Sequence, residues 1–422
     1  MLAAVICACV CACVKWNSSF ISFWSIRRLA LKRILAIVIV LMILFLTVIY
    51  ADDMNEAAST SSIFEDLAVE TFNGDEPVIN AQSAIVMDFD TGRVIFEKNA
   101  YQRRPMASTT KVMTAIIALE NGNLDDIVTI SRNATSIHGS LMHLHTGEKL
   151  PLRDLMYGLL LCSGNDASIA IAEHVGGSVE GFLEMMNNKA KEIGANNTHF
   201  TSPHGLDDVG HHSTAYDMAL ITKYALNIPV FNEIVKTKSI QVGNRYLNNS
   251  NEMLTSYEGA DGVKTGYTGR AGRCLITSAT RDGRRFISVV LFCDSRSQRA
   301  LSSKKILDYT FSLYYPRTII SSQYLGSLPV EKGFEKSVPI YVEKTITLPL
   351  SDEEVAALYT KLSLPDYIQA PITEKSVVGT LSVYLGDKIL CESSIRAGKS
   401  IKQKTILQYF IDVFIEWLEL VK

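Results

Sequence analysis

Three short stretches of this chain combine residue types that can do covalent chemistry. Ser108-Thr109-Thr110-Lys111 places a hydroxyl and an amine three residues apart at the start of an apolar helix, so both fall on one helical face. A serine hydroxyl is a weak nucleophile until a base takes its proton, and a lysine can serve when burial and neighbouring charge favour its neutral form. The helix N-terminus adds backbone N–H groups beside the serine, where an oxyanion can be held. Taken alone, the four residues are weak evidence, and their ordinary reading is a serine cap followed by a surface lysine. Ser163-Gly164-Asn165 breaks two apolar runs, and a polar loop there must satisfy itself internally or face a cleft. Its hydroxyl can relay a proton and its amide can orient Lys111; alone it is an ordinary interhelix turn. Lys264-Thr265-Gly266 offers a cation and a hydroxyl to a carboxylate, with a glycine that lets another backbone approach.

These stretches need elements to carry them. Ala84–Phe89 and Arg93–Lys98 flank Asp90-Thr91-Gly92 and read as a hairpin. Thr109–Glu120 has helical spacing that stops at Asn121-Gly122, Leu152–Cys162 and Asp166–His174 are two further helices, and Thr214–Leu226 is a fourth. From Asp261 the period changes to that of strands, over Gly262–Gly266, Cys274–Thr280 and Arg285–Cys293, before Arg299–Tyr314 returns to helix. Strands at both ends of the segment with helices between them predict an α+β domain whose sheet is antiparallel. Residues 320–400 alternate over short runs (Val338–Val342, Lys344–Leu348, Val377–Leu385, Lys388–Glu392) and predict a small all-β module. Thr405–Val421 is amphipathic: Ile406, Phe410, Val413, Phe414, Trp417, Leu420 and Val421 share one face, and Gln408, Asp412, Glu416 and Glu419 the other. Such a helix lies in a membrane interface or docks on the chain's own β module.

The front of the chain is a different material. Residues 1–51 hold five basic residues and no acid, whereas the remainder has 36 basic and 44 acidic residues, a net of −8 within an overall −3. Ile34–Tyr50 is an uncharged apolar run preceded by Arg27-Arg28 and Lys32-Arg33, which predicts export with everything after Tyr50 outside the cytoplasm. A cleaved signal peptide is favoured over a retained anchor. Cys7, Cys9, Cys11 and Cys13 alternate in a spacing unlike a zinc site. The body has four more cysteines, too few for a disulfide scaffold. A mildly acidic chain of 422 residues, 47% hydrophobic, is neither disordered nor suited to nucleic acid. The domain plan is therefore a targeting segment 1–51, a linker 52–77, a catalytic domain 78–317, a β-rich domain 318–401 and an amphipathic helix 402–422.

The order Ser-x-x-Lys, Ser-x-Asn, Lys-Thr-Gly, each in its structural setting, is the signature of the penicilloyl-serine transferases. With the flanks Ala84–Ala115, Leu159–Ala172, Thr201–Gly205 (TSPHG), Ser213–Asp217 (STAYD) and Asp261–Thr268 (DGVKTGYT), the chain resembles the low-molecular-mass penicillin-binding proteins that are serine-type D-alanyl-D-alanine carboxypeptidases. The resemblance is dense over residues 75–315 and looser beyond. It implies a transpeptidase/β-lactamase-like catalytic domain, an antiparallel sheet flanked by helices, without a cofactor or metal. It implies an enzyme that removes the terminal D-Ala from peptidoglycan pentapeptide stems through an acyl-enzyme and is blocked covalently by β-lactam antibiotics.

The resemblance also implies roles. Ser108 attacks, Lys111 accepts its proton, Ser163 relays a proton to the departing D-Ala, and Asn165 positions Lys111 and the peptide. Lys264, Thr265 and Gly266 bind the carboxylate end, Tyr267 and Ser108 supply oxyanion N–H groups, and Arg299 aligns with a carboxylate-binding arginine. Relatives often have His where Tyr267 stands, so Tyr267→His is expected to stay active. The implied location is the outer face of the cytoplasmic membrane, held there through the C-terminal helix. A DD-endopeptidase acting on cross-links uses the same machinery, and a penicillin-binding wall protein without turnover is the non-enzyme alternative. A class A β-lactamase would need a Glu-x-x-Leu-Asn segment between Asn165 and Lys264, and the chain has none. His138, His143, His145, His199, His204, His211 and His212 lack the helical spacing of a metallopeptidase and are expected to be solvated or capping.

Overall fold

The structure, a computed structural model, describes residues 76–420. The targeting segment 1–51 with its four cysteines, and nearly all of the linker 52–77, lie outside the described residues.

The catalytic half is built on five strands: β1 (Ser83–Asp88), β2 (Val94–Lys98), β3 (Ala260–Thr268), β4 (Gly272–Arg281) and β5 (Arg284–Cys293). They form one sheet in the order β2-β1-β5-β4-β3, and every pair is antiparallel. The central strands read as unbroken apolar runs because both faces are covered. Along β1, Ile85 and Met87 enter one core while Ala84 and Val86 enter another, and β5 alternates likewise with Ile287, Val289 and Leu291 against Phe286 and Val290.

The larger core holds the helices that carry the chemistry: α1 (Lys111–Asn121), α2 (Leu152–Leu160), α3 (Asn165–Gly176), α4 (Val179–Ile193) and α5 (Ala215–Leu226). α5 starts where the Thr214 side chain accepts from the Asp217 N–H, and α4 runs from the Ser178 cap to Gly194 in the left-handed region at φ 89°. The opposite face is covered by α6 (Arg296–Leu313). Its sequence looks polar, yet it is buried by pairing hydroxyl to hydroxyl. Ser303 Oγ lies 2.6 Å from Ser288 Oγ and donates to Thr277 Oγ1 at 3.0 Å, both on the sheet beneath.

The second domain is β-rich, as expected. It opens with β6 (Tyr315–Ile320), slightly ahead of the expected boundary, paired to β9 (Ile346–Leu350). A six-stranded sheet runs β10 (Leu358–Ser363), β12 (Val377–Leu385), β13 (Lys388–Ala397), β8 (Ser337–Val342), β7 (Tyr324–Glu331), β11 (Ile368–Gln369). The module also contains one short helix, Asp352–Ala357, closed by a Ser351/Glu354 capping box. That helix meets the catalytic half, because Arg93 pairs with Glu354 and also donates to the Pro349 carbonyl.

The terminal helix α7 (Ile406–Leu420) forms as the spacing predicts. Its apolar face is not docked on the β module: Ile406 is 78% exposed, Phe410 71% and Trp417 58%. Among the described residues no helix is long and apolar enough to cross a membrane.

Candidate active site

Ser108 does not sit on a regular α-helix. Ala107–Thr110 is a 3₁₀ turn that runs directly into α1, with Lys111 as the first residue of the helix proper. The tighter winding brings residues i and i+3 into line, which serves a Ser/Lys pair better than the α-helical spacing anticipated. The turn is entered through Ala107 at φ 48°, a backbone conformation that a residue with a Cβ adopts only when its surroundings hold it there.

Lys111 is wholly buried. Its Nζ donates to Ser108 Oγ at 2.9 Å, to Asn165 Oδ1 at 2.7 Å and to the His204 carbonyl at 2.9 Å. The lysine therefore reaches Ser108, the second motif and the TSPHG segment with a single atom. Asn165 opens α3 and holds its amide in one orientation, since its Nδ2 donates to the His138 carbonyl at 2.7 Å. Gly139, at φ 92°, passes so near that a Cβ there would stand 2.7 Å from this Nδ2.

Ser163 lies in the loop ahead of α3 at φ 65°, 2% exposed, and its buried Oγ has no hydrogen-bond partner among the described residues. A buried hydroxyl left unsatisfied in a strained turn costs stability, the usual mark of a group kept for function. The neighbouring Cys162 thiol is pushed up to about 11, mainly by burial and then by Asp166, against a lowering pull from Lys264. The Lys264 charge is thus felt at this loop. The loop is braced by Asp166, which accepts from the Met142 N–H at 2.9 Å and the Leu144 N–H at 3.0 Å.

β3 forms the other wall. Lys264 and Thr265 are each 1% exposed. Lys264 Nζ donates to the Thr265 carbonyl at 3.0 Å, and Thr265 Oγ1 is 2.7 Å from Ser250 Oγ. At Gly266 the strand meets the Ser108 turn, where an added Cβ would lie 3.0 Å from the Ser108 amide nitrogen and 3.1 Å from that of Thr109. Tyr267 faces Arg273 across the β3–β4 ladder, and the guanidinium stacks on its ring at 3.6 Å.

Arg299 does not present its guanidinium to solvent. It is 0% exposed, and its Nε and Nη2 donate to the two Glu252 oxygens at 2.9 Å each. Glu252 stands two residues beyond Ser250, the partner of Thr265. The structure thus gathers Ser108, Lys111 and Asn165 by direct contact, brings Gly266 against the Ser108 amide, and pairs Arg299 with Glu252, two residues from the Ser250 that meets Thr265.

Sequence reasoning missed several supports. Asp166 was adjacent to a quoted motif and is an acid in the first turn of a buried helix. The His204 carbonyl lies inside the Thr201–Gly205 stretch, but a main-chain acceptor has no residue-type signal. Nor are all the histidines solvated: His211 is 5% exposed and His204 half-buried. Burial pushes the His211 imidazole down to about 4, and burial together with the nearby Lys111 charge pushes His204 down to about 3.

Residues 70–295 match the family described as D-alanyl-D-alanine carboxypeptidase. The chain belongs to that family. Residues 314–403 match the C-terminal domain of penicillin-binding protein 5. The D-alanyl-D-alanine carboxypeptidase DacF of Bacillus subtilis is 34% identical over 349 residues, covering 80% of this chain and 90% of that protein. DacD of Escherichia coli is 32% identical over 358 residues, covering 81% and 92%. Among solved structures, penicillin-binding protein 5 of Haemophilus influenzae superimposes with a TM-score of 0.70 at 29% identity, covering 78% of this chain and 99% of that one. The chain is thus a D-Ala-D-Ala carboxypeptidase, a serine hydrolase of the penicillin-binding protein fold.

Proposed function

We propose that the site removes the terminal D-Ala from peptidoglycan stem peptides by the following division of labour. Ser108 Oγ attacks the penultimate D-Ala carbonyl while Lys111 Nζ takes its proton. The observation that carries this is the contact of one buried amine with both Ser108 Oγ, 2.9 Å away, and Asn165 Oδ1, 2.7 Å away. The tetrahedral oxyanion is received by the Ser108 and Tyr267 main-chain N–H groups, which Gly266 allows to approach each other. Ser163, whose hydroxyl has no hydrogen-bond partner among the described residues, relays the proton that Lys111 took from Ser108 to the leaving D-Ala amine. Lys264 and Thr265 take the free carboxylate. Arg299 acts from behind, through Glu252 and Ser250, to hold Thr265 in place. Water then releases the acyl group from Ser108. A β-lactam enters the same path and stays on the serine.

The test uses residues 75–400 with a peptide ending in D-Ala-D-Ala, and measures free D-Ala. Release that disappears in Ser108→Ala is expected; release that persists in that variant would sink the assignment.

The chain is proposed to work outside the cytoplasm, held to the membrane surface by α7. The support is its exposed apolar face, Ile406, Phe410, Val413 and Phe414, together with the apolar run at Ile34–Tyr50. Deleting 402–422 in a chain that also lacks the N-terminal run should free it from membranes. Unchanged retention would defeat this reading.

A further inference from the structure

The reaction as described makes no use of His211, yet both of its ring nitrogens are engaged beside the nucleophile. The Thr201 N–H donates to Nδ1 at 3.1 Å, which leaves Nε2 as the ring's donor. Nε2 lies 2.8 Å from Thr110 Oγ1, whose own hydrogen goes to the Ala107 carbonyl at 2.8 Å. The chain of donors runs from imidazole through hydroxyl to carbonyl, and it ends on Ala107. That is the residue whose left-handed backbone leads into the Ser108 turn.

The far side of the ring is tied to the Thr201–Gly205 segment. This segment gives its His204 carbonyl to Lys111 Nζ at 2.9 Å and its Pro203 carbonyl to Thr114 Oγ1 at 2.6 Å. Gly205, at φ 87°, presses on the Ala107 carbonyl with no room for a Cβ. His211 is therefore pinned between the turn that holds the nucleophile and the loop that holds an acceptor of the base. Phe200 meets the ring edge-on at 6.0 Å, and Asp207, Asp208, His199, His212 and His204 are the titratable groups around it.

We infer that His211 is a positioning residue for acylation, fixing the distance between the Ser108 hydroxyl and the Lys111 amine through Thr110 and the Thr201–Gly205 segment. It touches neither substrate nor reacting atoms. The inference rests on the reading of Ser108 as the nucleophile.

The test is stopped-flow acylation of the full chain by a fluorescent penicillin, which separates the non-covalent dissociation constant from the acylation rate constant. The proteins compared are wild type, Ser108→Ala, His211→Ala, His211→Gln, Thr110→Val and the double variant His211→Ala/Thr110→Val. His211→Ala is expected to slow acylation by about 10- to 100-fold, the usual effect of a small misplacement of reacting groups, with the dissociation constant within about two-fold. His211→Gln, whose amide can donate to Thr110, should recover most of the rate. Thr110→Val should reproduce the loss, and the double variant should be no slower than the slower single one. A His211→Ala rate within about two-fold of wild type overturns the inference, as do losses that multiply in the double variant. Should His211→Ala not fold, Thr110→Val decides, since a wild-type rate there is also fatal. A wild-type chain that forms no adduct defeats the nucleophile reading itself, and the inference falls with it; normal wild-type labelling with an unaltered Thr110→Val defeats only this one.

Discussion

Asn165 grips Lys111 through its Oδ1 at 2.7 Å while its Nδ2 is held by the His138 carbonyl, so the amine meets a neutral oxygen whose orientation is locked. Replacing that amide by a carboxylate puts a negative charge against Lys111 and also turns the donor to the His138 carbonyl into an acceptor. Asn165→Asp should favour the ammonium form of Lys111, since an opposite charge at hydrogen-bond distance raises an amine's pKa. Acylation at pH 7 should fall by about ten-fold or more and recover as pH is raised. The pH profile of β-lactam labelling checks this, and an unshifted acid limb would contradict it.

Gly266 is the point where β3 touches the nucleophile turn. Gly266→Ala should slow acylation strongly, by about 100-fold, because a Cβ 3.0 Å from the Ser108 amide nitrogen shifts that N–H from the oxyanion position. Global stability should change far less than the rate, which thermal melting beside the labelling assay will show. Equal losses in both would mean that the glycine serves packing alone.

The Glu252–Arg299 pair is buried at both ends, with side chains 4% and 0% exposed. Removing one partner deprives the other of its bidentate counter-charge at a buried site, a loss of about 3–5 kcal/mol. Arg296, with its Nε 4.0 Å from Glu252, offsets that loss in part when Arg299 is the residue removed. Glu252→Gln and Arg299→Met should therefore each lower the urea midpoint markedly, and the double variant should unfold later than either single one. Additive losses would show that the two residues do not depend on each other.

Stability should also depend on mildly acidic pH. His204 and His211 are held near 3 and 4 in the folded chain, below the ordinary histidine value of 6.5. An unfolded chain takes up those protons first, so stability is greatest above about pH 6.5 and declines toward pH 4 and then pH 3, by a few kcal/mol in all. Urea unfolding at pH 7, 5.5 and 4.5 measures the slope. His211→Gln should flatten part of it, and a slope identical to wild type would show that His211 is not its source.

What was legible in the sequence follows from short-range rules. β1 and β5 announce themselves because both faces are apolar, and the three motifs stand out because each interrupts an apolar element with groups that have no reason to be buried. The supports were harder to read because their partners are remote in the chain. Glu252 and Arg299 are separated by 47 residues, and neither carries a local mark of pairing. α4 has too mixed a composition to stand out before its caps are seen, and α6 hides its buried face behind serines whose partners lie on β4 and β5. The His211 contact links positions 101 apart, so a residue expected in solvent proves to be interior.

From Lys111 to Ala118, every residue of α1 is buried. No face of this segment can slide or tilt without disturbing the whole interior, so amide hydrogens here should exchange only when the entire domain opens. The turn that carries Ser108 thus rests on a support that stays fixed while substrate comes and goes.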